Sequence, residues 1–229
     1  MQCVALVAAG GQGVRLGVRV PKAFADVSGF SLLAHTVARM REVARVRSIV
    51  VAVPADHVES ATAHLRAIAT PSGDAANVTV IAGGVLRQDS VRRMLAVVPP
   101  GTTHVLVHDA ARALAPASLA DRVLDALADG AEAVVPVLPV VDTLASVSDE
   151  RVTGTVPRDS VRLVQTPQGF AFDLLVRAHD ISPNEWEATD DSSMVMRLGA
   201  SVHAVPGDRA AMKITTPEDL LIAQALLHK

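Results

Sequence analysis

Short apolar runs rich in Val and Ile recur along the first ~140 residues, and turn-forming residues bound each of them. The runs do not alternate apolar with polar residues, which is typical of strands buried on both faces of a parallel sheet. Helical patterns separate them, so the chain predicts a doubly wound α/β fold with a mostly parallel, Rossmann-like sheet. The predicted strands are residues 3–9, 48–54, 78–84, 104–110 and 131–137, and the predicted helices are residues 31–43, 57–69, 89–98 and 117–130.

The alternation of strands and helices breaks at residues 139–164, which alternate weakly and carry Ser-Asp-Glu as a turn signal. This segment predicts a β-hairpin arm that projects from the body. A lone hairpin is marginally stable in water, so we expect the arm to pack on a second copy of the chain in a two-fold dimer. Residues 1–229 are therefore interpreted as one domain with an arm. The remaining predicted segments are a helix at 170–180, a polar stretch at 185–199, a strand at 201–207 and a helix at 216–227.

The composition excludes several classes of protein. Half of the 229 residues are hydrophobic, which is enough for a sizeable core, and the net charge is −3 with no long basic run, so a nucleic-acid partner is not expected. Cys3 is the single cysteine, which suits a reducing compartment. The first apolar stretch ends after about eight residues and predicts a strand, not a signal peptide or a membrane span. A cytoplasmic protein is expected.

The first predicted strand leads into a glycine-rich loop that contains Gly10, Gly11 and Gly13. Such loops at the carboxyl end of a strand let backbone N–H groups approach phosphates. Arg15 and Lys22 follow and are expected to neutralise the phosphate charge. Leu16 replaces the third glycine of a dinucleotide fingerprint, and no Gly-Lys-Ser/Thr of a Walker loop is present, so the loop binds phosphate in a third manner.

Two further motifs follow predicted strands. Residues 83–91, Gly-Gly-Val-Leu-Arg-Gln-Asp-Ser-Val, either read a base edge through backbone groups or simply cap a helix with Asp89 and Ser90. In His-Asp-Ala-Ala-Arg at 108–112, Asp109 is a candidate ligand of Mg²⁺, which takes one or two carboxylates plus substrate phosphates. The alternative for Asp109 is a salt bridge to Arg112.

Three weaker motifs offer a hydroxyl or a cation. They are Gln-Thr-Pro-Gln with Thr166, Ala-Thr-Asp-Asp with Thr189, and the segment after Met212 with Lys213. The alternatives for these residues are a turn, a helix N-cap and a solvated lysine, respectively. Each motif alone therefore predicts little.

Together and in this order, the motifs resemble the 2-C-methyl-D-erythritol 4-phosphate cytidylyltransferases of the non-mevalonate isoprenoid pathway. The resemblance covers nearly the whole chain, and its most specific part is the succession of His-Asp-Ala-Ala-Arg, Gln-Thr-Pro-Gln and Ala-Thr-Asp-Asp. Two positions depart from the family pattern. Gly10 stands where the family usually has alanine, and Ala23 stands where glutamine is common.

The resemblance implies transfer of CMP from CTP to methylerythritol 4-phosphate with release of pyrophosphate, assisted by Mg²⁺ bound mainly through the CTP phosphates. The attacking phosphate monoester is largely dianionic at neutral pH and needs no general base, which agrees with the lack of a Ser-His-Asp set in the sequence. By resemblance, the catalytic cations are Arg15, Lys22, Arg158 and Lys213; nucleotide contacts come from Ala9, Gly10, Gly11, Gly13, Gly84, Arg87, Ser90 and Ala110; and Asp109, Arg112, Thr143, Thr166 and Thr189 surround the second substrate, with Asp109 also at the metal.

Three alternatives remain at this stage. The nearest is another nucleotidyltransferase acting on a different sugar or polyol phosphate. A nicotinamide-dependent reductase is a second, although Asp56 is the only acid near the end of the second strand and lies beyond the usual spacing of about 20 residues. A non-catalytic nucleotide-binding regulator is the third, and the joint presence of the four candidate cations argues against it.

Overall fold

The structure is a computed structural model that describes residues 1–17, 20–68, 76–180 and 186–228. The last residue of the predicted helix 57–69 and the first of the polar stretch 185–199 lie outside the described residues. The strands are β1 (Cys3–Ala8), β2 (Asp26–Val27), β3 (Phe30–Ser31), β4 (Val46–Val53), β5 (Asn77–Ala82), β6 (His104–Asp109), β7 (Ala133–Pro139), β8 (Leu144–Ser148), β9 (Arg151–Val156), β10 (Arg162–Val164), β11 (Gln168–Ala171) and β12 (His203–Pro206). The α-helices are α1 (Leu32–Arg41), α2 (Val58–Ala67), α3 (Arg87–Leu95), α4 (Ala117–Ala128), α5 (Phe172–Asp180), α6 (Asp191–Arg197) and α7 (Pro217–Leu227).

The central sheet has eight strands, and most of its neighbouring strands run parallel, as the sequence predicts. Its order is β10-β7-β11-β6-β1-β4-β5, with β12 paired in parallel to β7. The chain leaves β1 for β4 on one side and later places β6 on the other side, and both pair with β1 in parallel. This reversal opens a crevice at the carboxyl ends of β1 and β6, where open α/β sheets bind ligands.

Apolar side chains cover both faces of the sheet, which explains the non-alternating runs. One core cluster joins β1 to α1, α2 and α4, and the other joins the opposite face to α3, α5 and α6. Cys3 is fully buried in the first cluster, and burial raises the pKa of its thiol to about 12. None of the described helices is long and apolar enough to cross a membrane.

The second half of the chain departs from the prediction in two places. Residues 170–171, predicted as the start of a helix, belong to β11, which inserts antiparallel between β6 and β7. The polar stretch at 185–199 contains α6, whose short length and serines hide its apolar face in the sequence. In both places, contacts with the rest of the fold determine the secondary structure, and the local sequence pattern does not.

The hairpin predicted at 139–164 is present as β8 and β9, with a two-residue turn at Asp149 and Glu150. Both turn residues have positive φ, as in a type I′ turn, and this agrees with the predicted Ser-Asp-Glu turn. The arm is shorter than predicted, because β10 (Arg162–Val164) pairs with β7 in the main sheet. Within the described chain, β8 and β9 pair only with each other.

Candidate active site

A cleft of about 350 Å³ opens where β1 and β6 end. Four segments contribute to it: the glycine loop with Lys22, the loop before α3, the turn after β6, and Lys213. The structure thus brings together most of the residues that the sequence analysis predicts to contact the nucleotide. The described lining residues are Ala8, Ala9, Gly10, Gly11, Gln12, Lys22, Ala23, Gly84, Val85, Leu86, Arg87, Ser90, Asp109, Ala110, Ala111 and Lys213.

The glycine loop folds back so that Lys22 reaches the cleft. The Lys22 N–H donates to the Gly11 carbonyl at 2.9 Å, and Gly13 adopts a left-handed φ of 74° that suits a residue without a side chain. Arg15 is an exposed residue of the 3₁₀ turn Val14–Leu16 and is not among the described residues that line the cleft. The loop therefore presents Lys22 directly and Arg15 from its rim.

The Lys22 ammonium is half-buried and lies among other cations. Burial, followed by the charges of Lys213 and Arg15, lowers the pKa of Lys22 to about 8. Among the described residues, Lys22 has no carboxylate within salt-bridge distance. An anionic ligand in the cleft would stabilise the charged form of Lys22.

The loop before α3 is built around Gly84 and Ser90. The Gly84 N–H donates to Ser90 Oγ at 3.0 Å, and a Cβ on Gly84 would lie only 2.2 Å from the Cβ of Asp89. Asp89 accepts from the Leu86 N–H at the start of α3. Both sequence interpretations of this motif therefore hold in part, since the segment caps a helix and also lines the cleft.

Asp109 is the charged centre of the opposite wall. Its Oδ1 accepts from Arg87 Nε at 2.9 Å, and its Oδ2 lies 2.8 Å from Lys213 Nζ. Burial alone would raise the pKa of Asp109, but the charges of Arg87 and Lys213 hold it well below its usual range. Asp109 is thus a carboxylate throughout the physiological range, and Lys213 is not simply a solvated lysine.

The ion network continues from Arg87 into the core. Arg87 Nη1 donates to Asp191 Oδ2 at 2.5 Å, and Asp191 Oδ1 lies 3.1 Å from His179 Nε2. Asp191 is fully buried, which would raise its pKa, but Arg87 and His179 lower it. Arg87 Nη2 is buried and has no hydrogen-bond partner among the described residues.

Two residues expected near the second substrate are engaged elsewhere in this chain. The Arg112 guanidinium donates to the carbonyls of Ala211 and Val164, so the alternative of an Asp109–Arg112 salt bridge is wrong. Thr166 Oγ1 is buried, accepts from the Asp109 N–H at 3.1 Å and lies 2.8 Å from His108 Nδ1. Thr166 therefore holds the Asp109 backbone in place.

Three other predicted residues are exposed. Thr189 does not cap α6, because Asp190 does so by accepting from the Ser193 N–H at 2.9 Å, so the N-cap alternative for Thr189 is wrong. Thr143 and Arg158 lie on the arm segment and are not among the described residues that line the cleft. Arg158 Nη1 instead donates to the Val141 carbonyl at 3.0 Å.

The described residues fit a divalent cation only loosely. They contain no group of three His, Cys, Asp or Glu side chains that could hold a metal, and Asp109 is the one carboxylate in the lining. Both oxygens of Asp109 already face cations. A Mg²⁺ ion at this site would therefore have to take most of its ligands from phosphates and water.

Sequence reasoning missed the buried amides that surround the site. Gln165 contacts both the N–H and the carbonyl of Asp208, and Gln168 contacts Asp190 and Ser192. Gln88 contacts Trp186 and Ala188. Two of the three glutamines flank Thr166 in the Gln-Thr-Pro-Gln motif, which was the available signal.

Comparison with known proteins agrees with this geometry. The family model for 2-C-methyl-D-erythritol 4-phosphate cytidylyltransferase matches residues 3–229. The enzyme of that name from Saccharopolyspora erythraea is 48% identical over 99% of this chain and 100% of its own length. Its counterpart from Rhodococcus jostii is 48% identical over 99% of this chain and 95% of its own length.

Solved structures give the same result. The chain is similar to 2-C-methyl-D-erythritol 4-phosphate cytidylyltransferase from Thermus thermophilus, with 39% identity, full coverage of both chains and a TM-score of 0.80. It is also similar to 4-diphosphocytidyl-2C-methyl-D-erythritol synthase from Anaerococcus prevotii, with 26% identity, coverage of 99% and 98%, and a TM-score of 0.84. The chain belongs to the 2-C-methyl-D-erythritol 4-phosphate cytidylyltransferase family.

Proposed function

We propose that this enzyme transfers CMP from CTP to 2-C-methyl-D-erythritol 4-phosphate and releases pyrophosphate. The observation that carries the proposal is the cleft at the end of β1 and β6, in which Lys22 is a cation without a carboxylate partner among the described residues. A site that must bring a triphosphate and a phosphate monoester together needs such a cation. The family match over residues 3–229 supports the identity of both substrates.

The reaction is a displacement at phosphorus. An oxygen of the methylerythritol phosphate attacks the α-phosphorus of CTP, the bond from that phosphorus to the bridging oxygen breaks, and pyrophosphate leaves with its electron pair. The attacking phosphate has a second pKa of about 6 and is already largely dianionic, so no base must remove a proton. Positioning and charge stabilisation then account for nearly all of the catalysis.

Each wall of the cleft has a proposed role. The glycine loop holds the triphosphate through Gly10, Gly11 and Gly13, and Lys22 stabilises the charge that develops around the α-phosphorus, with Arg15 assisting from the rim. The loop of Gly84 and Ser90, with Ala110 opposite, contacts the cytidine. Asp109 and Lys213 face the second substrate, and Thr189 binds its phosphate. Asp109 is the carboxylate of the described lining that would help to hold Mg²⁺, which when bound would neutralise charge on the CTP phosphates.

A direct experiment tests the function. Purified protein with CTP, Mg²⁺ and methylerythritol 4-phosphate is followed by ³¹P NMR, and we expect a new diphosphate ester together with free pyrophosphate. Parallel reactions with ATP, GTP and UTP, and with other polyol phosphates, test the nearest alternative function. The Lys22→Ala variant is the control for contaminating activity. Faster turnover of another nucleotide or acceptor would contradict the proposal.

We further propose that the enzyme is a homodimer in which the arm of one copy reaches the cleft of the other. The hairpin β8–β9 exposes Val147 and Val152, with 63% and 69% of their surface accessible. Such a hairpin is marginally stable alone, so its apolar face needs a partner. A dimer would also explain why Thr143 and Arg158 lie away from the cleft of their own chain. A planar guanidinium at Arg158 suits bidentate binding of phosphate.

Mixed dimers test the shared site. Lys22→Ala chains are combined with Arg158→Ala chains, each nearly inactive alone. If the arm crosses over, one site of the mixed dimer carries both defects and the other carries none, so activity partly returns. If the arm serves its own chain, every site keeps one defect. Mixed dimers that form without any return of activity would refute the exchange of arms.

We also propose a cytoplasmic location. The support is compositional: Cys3 is the only cysteine, and the structure buries it completely. Such usage suits a reducing compartment. Fractionation of cells that produce a tagged chain would test this, and recovery of the protein outside the cytoplasm would contradict it.

A further inference from the structure

We propose that Gln88 is a positioning residue that fixes Thr189 for the second substrate. This inference rests on the proposed function for the role of Thr189, but the contact itself is independent of that role. Gln88 lies in the first turn of α3, and its side chain reaches a segment about 100 residues away in the sequence. That segment, residues 186–191, carries Thr189 and leads into α6.

The Gln88 amide holds this segment with both of its polar atoms. Gln88 Oε1 accepts from the Ala188 N–H at 2.8 Å, and Gln88 Nε2 donates to the Trp186 carbonyl at 3.3 Å. Gln88 is buried, with 7% of its surface accessible. A buried amide that satisfies one backbone donor and one acceptor in the same segment fixes both the position and the direction of that segment.

The same segment is tied to the cleft at its other end. Asp191 accepts from Arg87, and Arg87 donates to Asp109 in the cleft wall. Gln88 and Arg87 are adjacent in α3, so one helical turn holds the segment both before and after Thr189. Thr189 itself is exposed, so we infer that the hydrogen bonds of its neighbours to Gln88 and Arg87 position it.

Gln88 is the member of this arrangement that can be tested cleanly. Arg87 lines the cleft, and Gln168 contacts the residues that begin α6, so changes there alter the site or the helix directly. Gln88 is not among the described lining residues. We therefore expect a defect in Gln88 variants to act through the segment that Gln88 holds, whereas an effect through the adjacent Arg87 or through Ser90 would also change the KM for CTP.

The first measurement is hydrogen exchange of the backbone amides at residues 186–192, which needs no substrate. In Gln88→Leu and in the smaller Gln88→Ser, we expect these amides to exchange about 10-fold faster than in the wild type. The control is Arg45→Met. Arg45 directly precedes β4, at the end of the sheet away from the cleft, and the substitution removes its ion pairs to Asp121 and Asp125 of α4. Unchanged exchange in both Gln88 variants would overturn the proposal whatever reaction the enzyme catalyses.

The second measurement is steady-state kinetics. We expect the Gln88 variants to raise the KM for methylerythritol phosphate about 10-fold, while kcat and the KM for CTP stay within about twofold, because uniform binding is lost. Arg45→Met should change none of these. In a Thr189→Val background, Gln88→Leu should add nothing further, since both changes remove the same contact. Multiplying effects, or an equal loss for both substrates, would overturn the role assigned to Gln88; absence of turnover in the wild type would instead reject the proposed function.

Discussion

Two lysines line the same cleft in opposite electrostatic settings. Lys213 lies 2.8 Å from an Asp109 oxygen, whereas Lys22 has no carboxylate within salt-bridge distance among the described residues. Lys213 thus belongs to a network that continues through Arg87 to the buried Asp191. The pKa of Lys22 is instead lowered to about 8, because burial and neighbouring cations disfavour its charge. One wall of the cleft is neutralised within the protein, and the other keeps positive charge for a ligand.

The largest effect is expected for Lys22→Ala, which removes the cation of the unneutralised wall. Removing a contact that strengthens in the transition state costs about 2.7–4 kcal/mol, or about 10²–10³ in kcat. The free energy of unfolding should not fall, since Lys22 carries unfavourable charge in the empty enzyme. The rate of pyrophosphate release with both substrates saturating measures kcat. Urea unfolding measures the free energy of unfolding. A near-normal kcat with a raised KM for CTP would show that Lys22 contributes equally to ground and transition states.

A change in the opposite wall, which contains Asp109 and Lys213, should instead lower the free energy of unfolding. Asp109→Asn removes the carboxylate that pairs with Arg87 and Lys213, and breaking a buried pair by removing one partner costs about 3–5 kcal/mol. We expect about 3 kcal/mol, the lower end, because Arg87 keeps its contact with Asp191. Urea unfolding measures the loss. A variant as stable as the wild type would mean that the network does not stabilise the fold.

The pKa of Lys22 gives a smaller, pH-dependent prediction. Because the folded pKa is about 8 and the usual value is 10.5, the unfolded chain binds more protons than the folded chain between these pH values. The contribution of Lys22 to the free energy of unfolding therefore rises with pH across this window. Comparison of unfolding curves of the wild type and Lys22→Met isolates this slope from other titrating groups. Identical slopes for the two proteins would contradict the lowered pKa.

The smallest effect is expected at Thr189. Thr189→Val should raise the KM for methylerythritol phosphate about 10-fold through loss of one hydrogen bond to a charged group, and leave the KM for CTP unchanged. Stability should be unchanged, since Asp190 and not Thr189 caps α6. Kinetics with each substrate varied in turn, together with thermal unfolding, test this. A loss of stability with intact kinetics would assign Thr189 a structural role only.

The sequence predicts the strands and helices of the first half well, because buried parallel strands leave continuous apolar runs. It also predicts that the segments with Lys22, Gly84 and Asp109 share one edge of the sheet, since each lies at or beyond the carboxyl end of a predicted strand. It cannot predict that Asp109 pairs with Arg87 and not with Arg112. Arg112 is close in sequence, but its guanidinium is used by the carbonyls of Ala211 and Val164.

The Gln88 and Asp191 contacts were also beyond sequence reasoning. Each joins residues about 100 positions apart, so no local spacing in the sequence predicts them. Residues 170–171 of β11 are predicted as helix because a four-residue strand is too short to show a period of its own. The elements that the sequence hides are those whose conformation depends on distant partners.

The burial of Cys3 has a practical consequence for experiments on the arm. A thiol whose pKa is raised to about 12 and whose side chain is inaccessible reacts poorly with maleimides at neutral pH. The wild-type chain can therefore serve directly as a background for single-site labelling. A cysteine introduced at the exposed Val147 would carry a fluorophore on the arm alone, and energy transfer between donor-labelled and acceptor-labelled copies would test whether the proposed dimer forms.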